Sequence, residues 1–87
     1  MTNTLATVIG SIGAAALLWA YFVTSTRRRS PDEVPVIAGN LVGSALLIVN
    51  TYHFHAWPPL VVNTVWAVIA IISLIKVRQL SAERDGR

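Results

Sequence analysis

The chain has 87 residues and a formal net charge of +3 at pH 7; 54% of its residues are hydrophobic and 13% are charged. An average soluble domain carries about 25% charged residues, and a chain this short encloses too little interior to bury so apolar a composition. The composition excludes an ordinary soluble domain and favours burial in lipid. The absence of cysteine excludes disulfides, thiolate catalysis and cysteine-based metal sites.

The first predicted element is a transmembrane helix at about residues 5–23, LATVIGSIGAAALLWAYFV, which carries no charge. About 20 apolar residues suffice to cross the hydrocarbon core. A secretory signal would begin with a positively charged segment, and none precedes this run, so a retained helix is favoured. A polar cytoplasmic loop, residues 24–35, follows it, and Ser30 with Pro31 predicts the start of the next helix there.

The second predicted helix covers about residues 36–52 and is the weakest of the three, because Asn40 and Asn50 interrupt its apolar sequence. A short outer loop, residues 53–57, separates it from the third helix. Two prolines then open the third helix at about residues 58–77, a position that proline tolerates well. A polar cytoplasmic tail is predicted at residues 78–87, in the form of a frayed helical end.

The basic residues indicate an orientation. All seven lie in the first loop or near the C-terminal end: Arg27, Arg28, Arg29, Lys76, Arg78, Arg84 and Arg87. Three crossings place both regions on one side, which the positive-inside rule makes cytoplasmic. The sequence therefore predicts a multi-pass protein of the bacterial cytoplasmic membrane with its N-terminus outside. Arg27, Arg28, Arg29, Lys76 and Arg78 are the predicted topology anchors, with lipid headgroups as their partners.

Small residues supply a predicted contact face on each helix, because helices in lipid associate through close backbone approach. The residues concerned are Gly10 and Ala14, the GxxxG pair Gly39 and Gly43, and Ala67 and Ala70. Two interpretations remain open. The faces pack the three helices together, or they bind a second chain.

Three amides lie within the predicted spans: Asn40, Asn50 and Asn63. Such groups are costly against lipid and are expected to face the bundle, a cavity or a partner. They predict either hydrogen bonds between helices or a candidate polar site near the membrane midplane.

No catalytic group of residues emerges, because the acids lie only in the first loop and the tail. Neither an enzyme nor a cofactor is predicted. His53 and His55 lack a third ligand on their side of the membrane, so interfacial contacts are favoured over a metal site. The high pI, about 10.2, is explained by membrane topology, and no nucleic-acid partner is predicted.

Five residues carry a resemblance to a known family: Ser30, Asp32, Gly43, Pro58 and Asn63. Together with the three predicted spans they resemble the SemiSWEET and PQ-loop transporters. That resemblance implies a three-helix unit that dimerises around a central site, with Asn63 facing the sugar. The Pro-Gln hinge of PQ-loop proteins would fall near Ala20 and Tyr21, and neither residue matches it.

The run containing Trp57, Pro58, Asn63 and Trp66 also resembles a group of small, mostly uncharacterised bacterial membrane proteins. The size and character are similar to the lipid-uptake coordinator subunit (LucB) of actinobacterial mammalian-cell-entry (Mce) lipid importers. The favoured hypothesis is an accessory subunit that binds and stabilises or regulates a larger membrane complex. The alternative is a SemiSWEET-like homodimer that transports a small polar solute.

Overall fold

The computed structural model describes residues 1–85, and the side chains of residues 1–83. Arg87 lies outside the described residues, and the Arg84 side chain is also outside this description. The described chain forms α1 (Asn3–Ser25), α2 (Val34–His53) and α3 (Trp57–Asp85). Each of these three helices is long and apolar enough to cross a membrane. The predicted all-α fold with three helices able to span a membrane is confirmed, and it indicates a multi-pass membrane protein.

Each predicted span lies within one helix, and α3 continues well beyond its predicted span. Its 29 residues continue to Asp85, through most of the polar tail, which the sequence predicts as a frayed helical end. No Gly or Pro interrupts the chain between Lys76 and Asp85, and most residues there are good helix formers. The helix measures about 43 Å at 1.5 Å per residue, so it exceeds a hydrocarbon core of about 30 Å.

Both short connections begin with the same helix-ending motif. Arg27 and His55 adopt the left-handed conformation, with φ of 60° and 55°. In the first motif the Arg28 amide donates to the Val23 carbonyl at 2.9 Å. In the second motif the Ala56 amide donates to the Thr51 carbonyl, also at 2.9 Å. This is the Schellman arrangement, in which glycine usually takes the left-handed position.

α2 is the central helix of the fold. It packs against both α1 and α3, whereas α1 and α3 do not pack against each other in the described part of the chain. The buried apolar residues are few and mostly small: Ala6, Ala20, Val23, Val36, Ile37 and Ala70. The arrangement leaves an open groove above α2, between α1 and α3, called here the α1–α3 cleft.

The molecule is elongated, with extents of 52 × 24 × 19 Å, and its two ends differ in chemistry. Lys76 and the connection between α1 and α2 line a common pocket, so the basic residues 27–29, 76 and 78 lie at one end, called the arginine end. The opposite end carries His53, His55 and Trp57 and is called the histidine end.

Candidate functional site

Glycine backbones form the centre of the contact between α1 and α2. A Cβ atom at Gly13 would lie 2.8 Å from the Gly43 carbonyl oxygen, and one at Gly43 would lie 2.8 Å from the Gly13 carbonyl oxygen. Each helix therefore needs glycine where it meets the other. Gly13 is not among the contact residues predicted from the sequence, although it lies one turn beyond Gly10 and therefore on nearly the same face.

The other predicted small residues occupy related positions. A Cβ at Gly10 would overlap the Asn50 side chain, and one at Gly39 would lie 3.0 Å from the Trp19 ring. Ala70 is 5% exposed, and Ala14 and Ala67 are half-buried. The glycine faces are therefore used within this chain, as the first of the two interpretations expects.

Two hydrogen bonds join α1 to α2 at the histidine end. Asn50 Nδ2 donates to the Ala6 carbonyl oxygen at 2.7 Å, in the space that Gly10 leaves free. One turn further along, the His53 ring donates from Nε2 to Asn3 Oδ1 at 2.8 Å. Asn50 thus holds two helices together, about 4.5 Å from the end of α2.

The three predicted amides do not meet at one place. Asn40 lies about 15 Å along α2 from Asn50, at 1.5 Å per residue, and lines the α1–α3 cleft. Asn63 is half-buried on α3 and does not line that cleft. Within the described residues, neither the Asn40 nor the Asn63 side chain has a hydrogen-bond partner.

The α1–α3 cleft has a volume of about 430 Å³. It is open to the side because α1 and α3 stand apart. Its apolar walls carry three polar side chains, from Tyr21, Thr24 and Asn40. The full lining is Leu17, Leu18, Ala20, Tyr21, Thr24, Pro31, Val36, Asn40 and Trp66.

The buried hydroxyl of Ser44 is also not among the polar groups predicted from the sequence to matter. Ser44 is fully buried, and its Oγ has no hydrogen-bond partner in the described structure. It lies about 100° around α2 from Gly43. Its burial removes the hydroxyl from any solvent while leaving it without a partner among the described residues.

A second pocket, of about 420 Å³, lies at the arginine end and is called the arginine-end pocket. It is lined by Ser30, Asp32, Glu33, Ser73, Lys76, Val77, Leu80 and Ser81. The Ser30 amide donates to Glu33 Oε2 at 3.1 Å, and Arg29 Nη1 lies 4.0 Å from the same oxygen. Arg28 instead stacks over the Phe22 ring at 5.5 Å, so these neighbouring arginines have different roles.

The model of an uncharacterised protein family matches residues 6–81 of the chain. The chain belongs to this family. No curated protein and no solved structure matches it significantly. The matched region begins in the first turns of α1 and ends in the extension of α3, so it includes the α1–α3 cleft and the arginine-end pocket.

The histidines lie apart from any cluster of metal ligands. Among the residues that the structure describes, no group of three or more His, Cys, Asp or Glu side chains is suitable for a metal ion. His53 is engaged with Asn3, and the His55 ring lies 5.4 Å from the Trp57 ring, between centroids. Both rings therefore contact other side chains at the histidine end.

Proposed function

We propose that this chain is a small accessory subunit that binds a larger membrane complex and stabilises or regulates it. The observation that carries the proposal is the Asn40 amide, which lies on the wall of the open α1–α3 cleft. An amide at membrane depth is costly when it faces lipid and is usually satisfied by protein. A transmembrane helix of a partner would cover the cleft and provide the missing hydrogen bonds.

The cleft is a concave part of the apolar surface that internal packing leaves uncovered. The glycine faces of α1 and α2 pack against each other, so they are not available to a second chain. Tyr21 and Trp66 are 71% and 50% exposed and stand on the cleft walls. Exposed aromatic side chains beside a concave surface are typical anchors for protein partners.

The role proposed for the subunit is not enzymatic, because no carboxylate, imidazole, amine or thiol lines the described cleft, and these are the groups most often used for proton transfer. The resemblance to lipid-uptake coordinator subunits makes Mce-type lipid importers the first complexes to test. If the purified native assembly contains no Mce component, Mce importers are excluded as the partner. That result would not contradict the proposal that the cleft binds a larger membrane complex.

We also propose that the arginine end faces the cytoplasm, with the N-terminus outside. Support comes from the positive-inside rule and from the shared pocket that brings Lys76 to the first connection. The chain contains no cysteine, so single cysteines at Ser81 and His55 can be labelled in intact cells with an impermeant maleimide. Labelling at position 55 but not at 81 is expected, and the reverse pattern would contradict the orientation.

Site-specific photocrosslinking tests the docking proposal. A photoreactive residue replaces Tyr21 or Trp66 on the cleft walls, and Ile12 or Ile71 serves as the matched control on exposed apolar surface away from the cleft lining. The proposal predicts adducts with a larger membrane protein from the cleft positions and none from the controls. Equal adducts from all four positions, or no protein adduct from any, would contradict it.

The second candidate function is transport by a homodimer of the SemiSWEET kind. The favouring observation is that Asn40, Tyr21 and Thr24 put polar groups on one apolar cleft, the lining expected of a polar solute site. Adducts of twice the chain mass in the crosslinking experiment would favour this alternative. Uptake by reconstituted protein that survives both Asn40→Ala and Asn63→Ala would exclude these amides from a solute site.

A further inference from the structure

The arginine-end pocket has a lining unlike the rest of the molecule. It combines one ammonium group, two carboxylates and three serine hydroxyls, from Lys76, Asp32, Glu33, Ser30, Ser73 and Ser81. It lies where the apolar sequence of α3 ends, between Ile75 and Lys76. That boundary is the level at which a spanning helix meets lipid headgroups.

We propose that this pocket binds the headgroup of a zwitterionic phospholipid that carries a primary amine, namely phosphatidylethanolamine. The lipid phosphate pairs with the Lys76 ammonium and the serine hydroxyls, and the lipid ammonium pairs with the Asp32 carboxylate. The acyl chains lie in the bilayer beside α3. This site is separate from the α1–α3 cleft and does not rest on the function proposed above.

The distribution of charge inside the pocket supports a ligand with both charges. Glu33 is already engaged, since it accepts from the Ser30 amide at 3.1 Å and lies 4.0 Å from Arg29. Lys76 and Asp32 line the same pocket but are not paired, because the Arg29–Glu33 contact is the one ion pair among the described residues. Among the described residues, the Lys76 ammonium and the Asp32 carboxylate are therefore both available to a dipolar headgroup that lies between them.

An anionic lipid fits the same pocket less well. The phosphate of phosphatidylglycerol would meet Lys76, but its glycerol hydroxyls could give Asp32 only hydrogen bonds without a positive charge, and the two carboxylates would repel its net charge. Arg28, stacked over Phe22, is outside the pocket and attracts anionic lipid only by its general field. The pocket therefore predicts a headgroup preference opposite to the one that the arginines alone predict.

The full chain is reconstituted in bilayers with equal amounts of phosphatidylethanolamine, phosphatidylcholine and phosphatidylglycerol that share the same acyl chains. Native mass spectrometry then measures which lipid each protein molecule retains. Phosphatidylethanolamine is expected to exceed phosphatidylglycerol about fivefold, the effect of one partly exposed ion pair, and to exceed phosphatidylcholine as well, because only a primary ammonium can also donate a hydrogen bond to Asp32. Phosphatidylcholine is the informative comparison, since its ammonium has no hydrogen to donate.

Three variants locate the site. Asp32→Asn is expected to abolish the preference for phosphatidylethanolamine over phosphatidylcholine, and Lys76→Gln to lower the retention of both. Arg78→Gln is the matched control, since it removes one positive charge from α3 at a residue that does not line the pocket. Helix content by circular dichroism confirms that each variant is folded before lipid is compared.

Other outcomes would overturn the proposal. Equal retention of the three lipids by the wild-type chain, or a preference for phosphatidylglycerol, would leave only general attraction by the basic end. A wild-type preference for phosphatidylethanolamine that persists in folded Asp32→Asn protein would show that the headgroup binds elsewhere.

Discussion

The two helix contacts of this molecule are built differently. Between α1 and α2, glycine backbones meet and two side-chain hydrogen bonds cross, from Asn50 to Ala6 and from His53 to Asn3. Between α2 and α3, no side-chain hydrogen bond crosses in the described part of the chain, and the fully buried Ser44 hydroxyl has no partner. Lipid supplies no hydrophobic force between helices, so backbone approach and hydrogen bonds determine the strength of a contact. α1 and α2 are therefore expected to form the stable unit, with α3 held more weakly.

The largest expected effect comes from Gly13→Ala, which tests the close approach of α1 and α2. The new Cβ would lie 2.8 Å from the backbone carbonyl of Gly43, which cannot turn aside as a side chain can. We expect a loss of about 1–3 kcal/mol in the free energy of unfolding, measured by denaturant titration in detergent.

Gly39→Ala is the matched control for that substitution. Its Cβ would meet the Trp19 ring at 3.0 Å, and Trp19 is 41% exposed, so the ring has room to move. Equal losses for the two variants would mean that backbone contact does not determine this interface.

Asn50→Ala tests the hydrogen bond that joins α2 to the start of α1. Removal of the donor to the Ala6 carbonyl is expected to destabilise the isolated chain by about 0.6–2 kcal/mol. Asn40→Ala is the internal comparison, because the Asn40 amide has no bond to lose, so the isolated chain should unfold as before. A larger loss for Asn40→Ala than for Asn50→Ala would contradict the assignment of the two amides.

Ser44→Ala addresses the buried hydroxyl of α2 that has no partner in the described structure. A buried hydroxyl without a partner retains its desolvation cost, so its removal is expected to raise the free energy of unfolding by up to about 1 kcal/mol. Ser11→Ala, which removes an exposed hydroxyl bonded to the Thr7 carbonyl, should show no gain. Destabilisation by Ser44→Ala would indicate that this hydroxyl has a partner.

The smallest effect is expected at the helix-ending motifs. Arg27→Gly relieves a left-handed conformation that costs a residue with a side chain about 1 kcal/mol, partly offset by the greater backbone entropy of glycine. We expect unchanged or slightly higher stability. Arg28→Gly removes the same charge from a residue without positive φ, so it should be the less stable variant in thermal unfolding.

The helices could be predicted from the sequence because long runs without charge have one stable form in lipid, and Pro58 and Pro59 indicate where the last one starts. The polar residues after Lys76 end the apolar span of α3 but tolerate a helix, so the helix continues beyond that span. The glycine contact was predicted only in part. Gly39 and Gly43 form a recognisable motif, whereas the role of Gly13 depends on which faces of two helices meet.

The polar residues were the hardest to place from the sequence. Asn50 has its partner 44 residues away, and that partner is the Ala6 backbone carbonyl, which no residue type indicates. The cleft beside Asn40 exists because α1 and α3 fail to touch, and a sequence gives no direct signal for the order of helices. Of the two interpretations open for the three amides, a hydrogen bond between helices is present at Asn50, whereas Asn40 and Asn63 have no such bond among the described residues.

Native mass spectrometry of the tagged chain, extracted in mild detergent at its natural abundance, tests the proposed accessory role most directly. We predict an assembly that contains larger membrane proteins. The substitution Trp66→Ala, at the cleft wall, is expected to weaken this assembly without unfolding the chain. A chain recovered only as a monomer, or as a homodimer with no larger subunit, would contradict the accessory role.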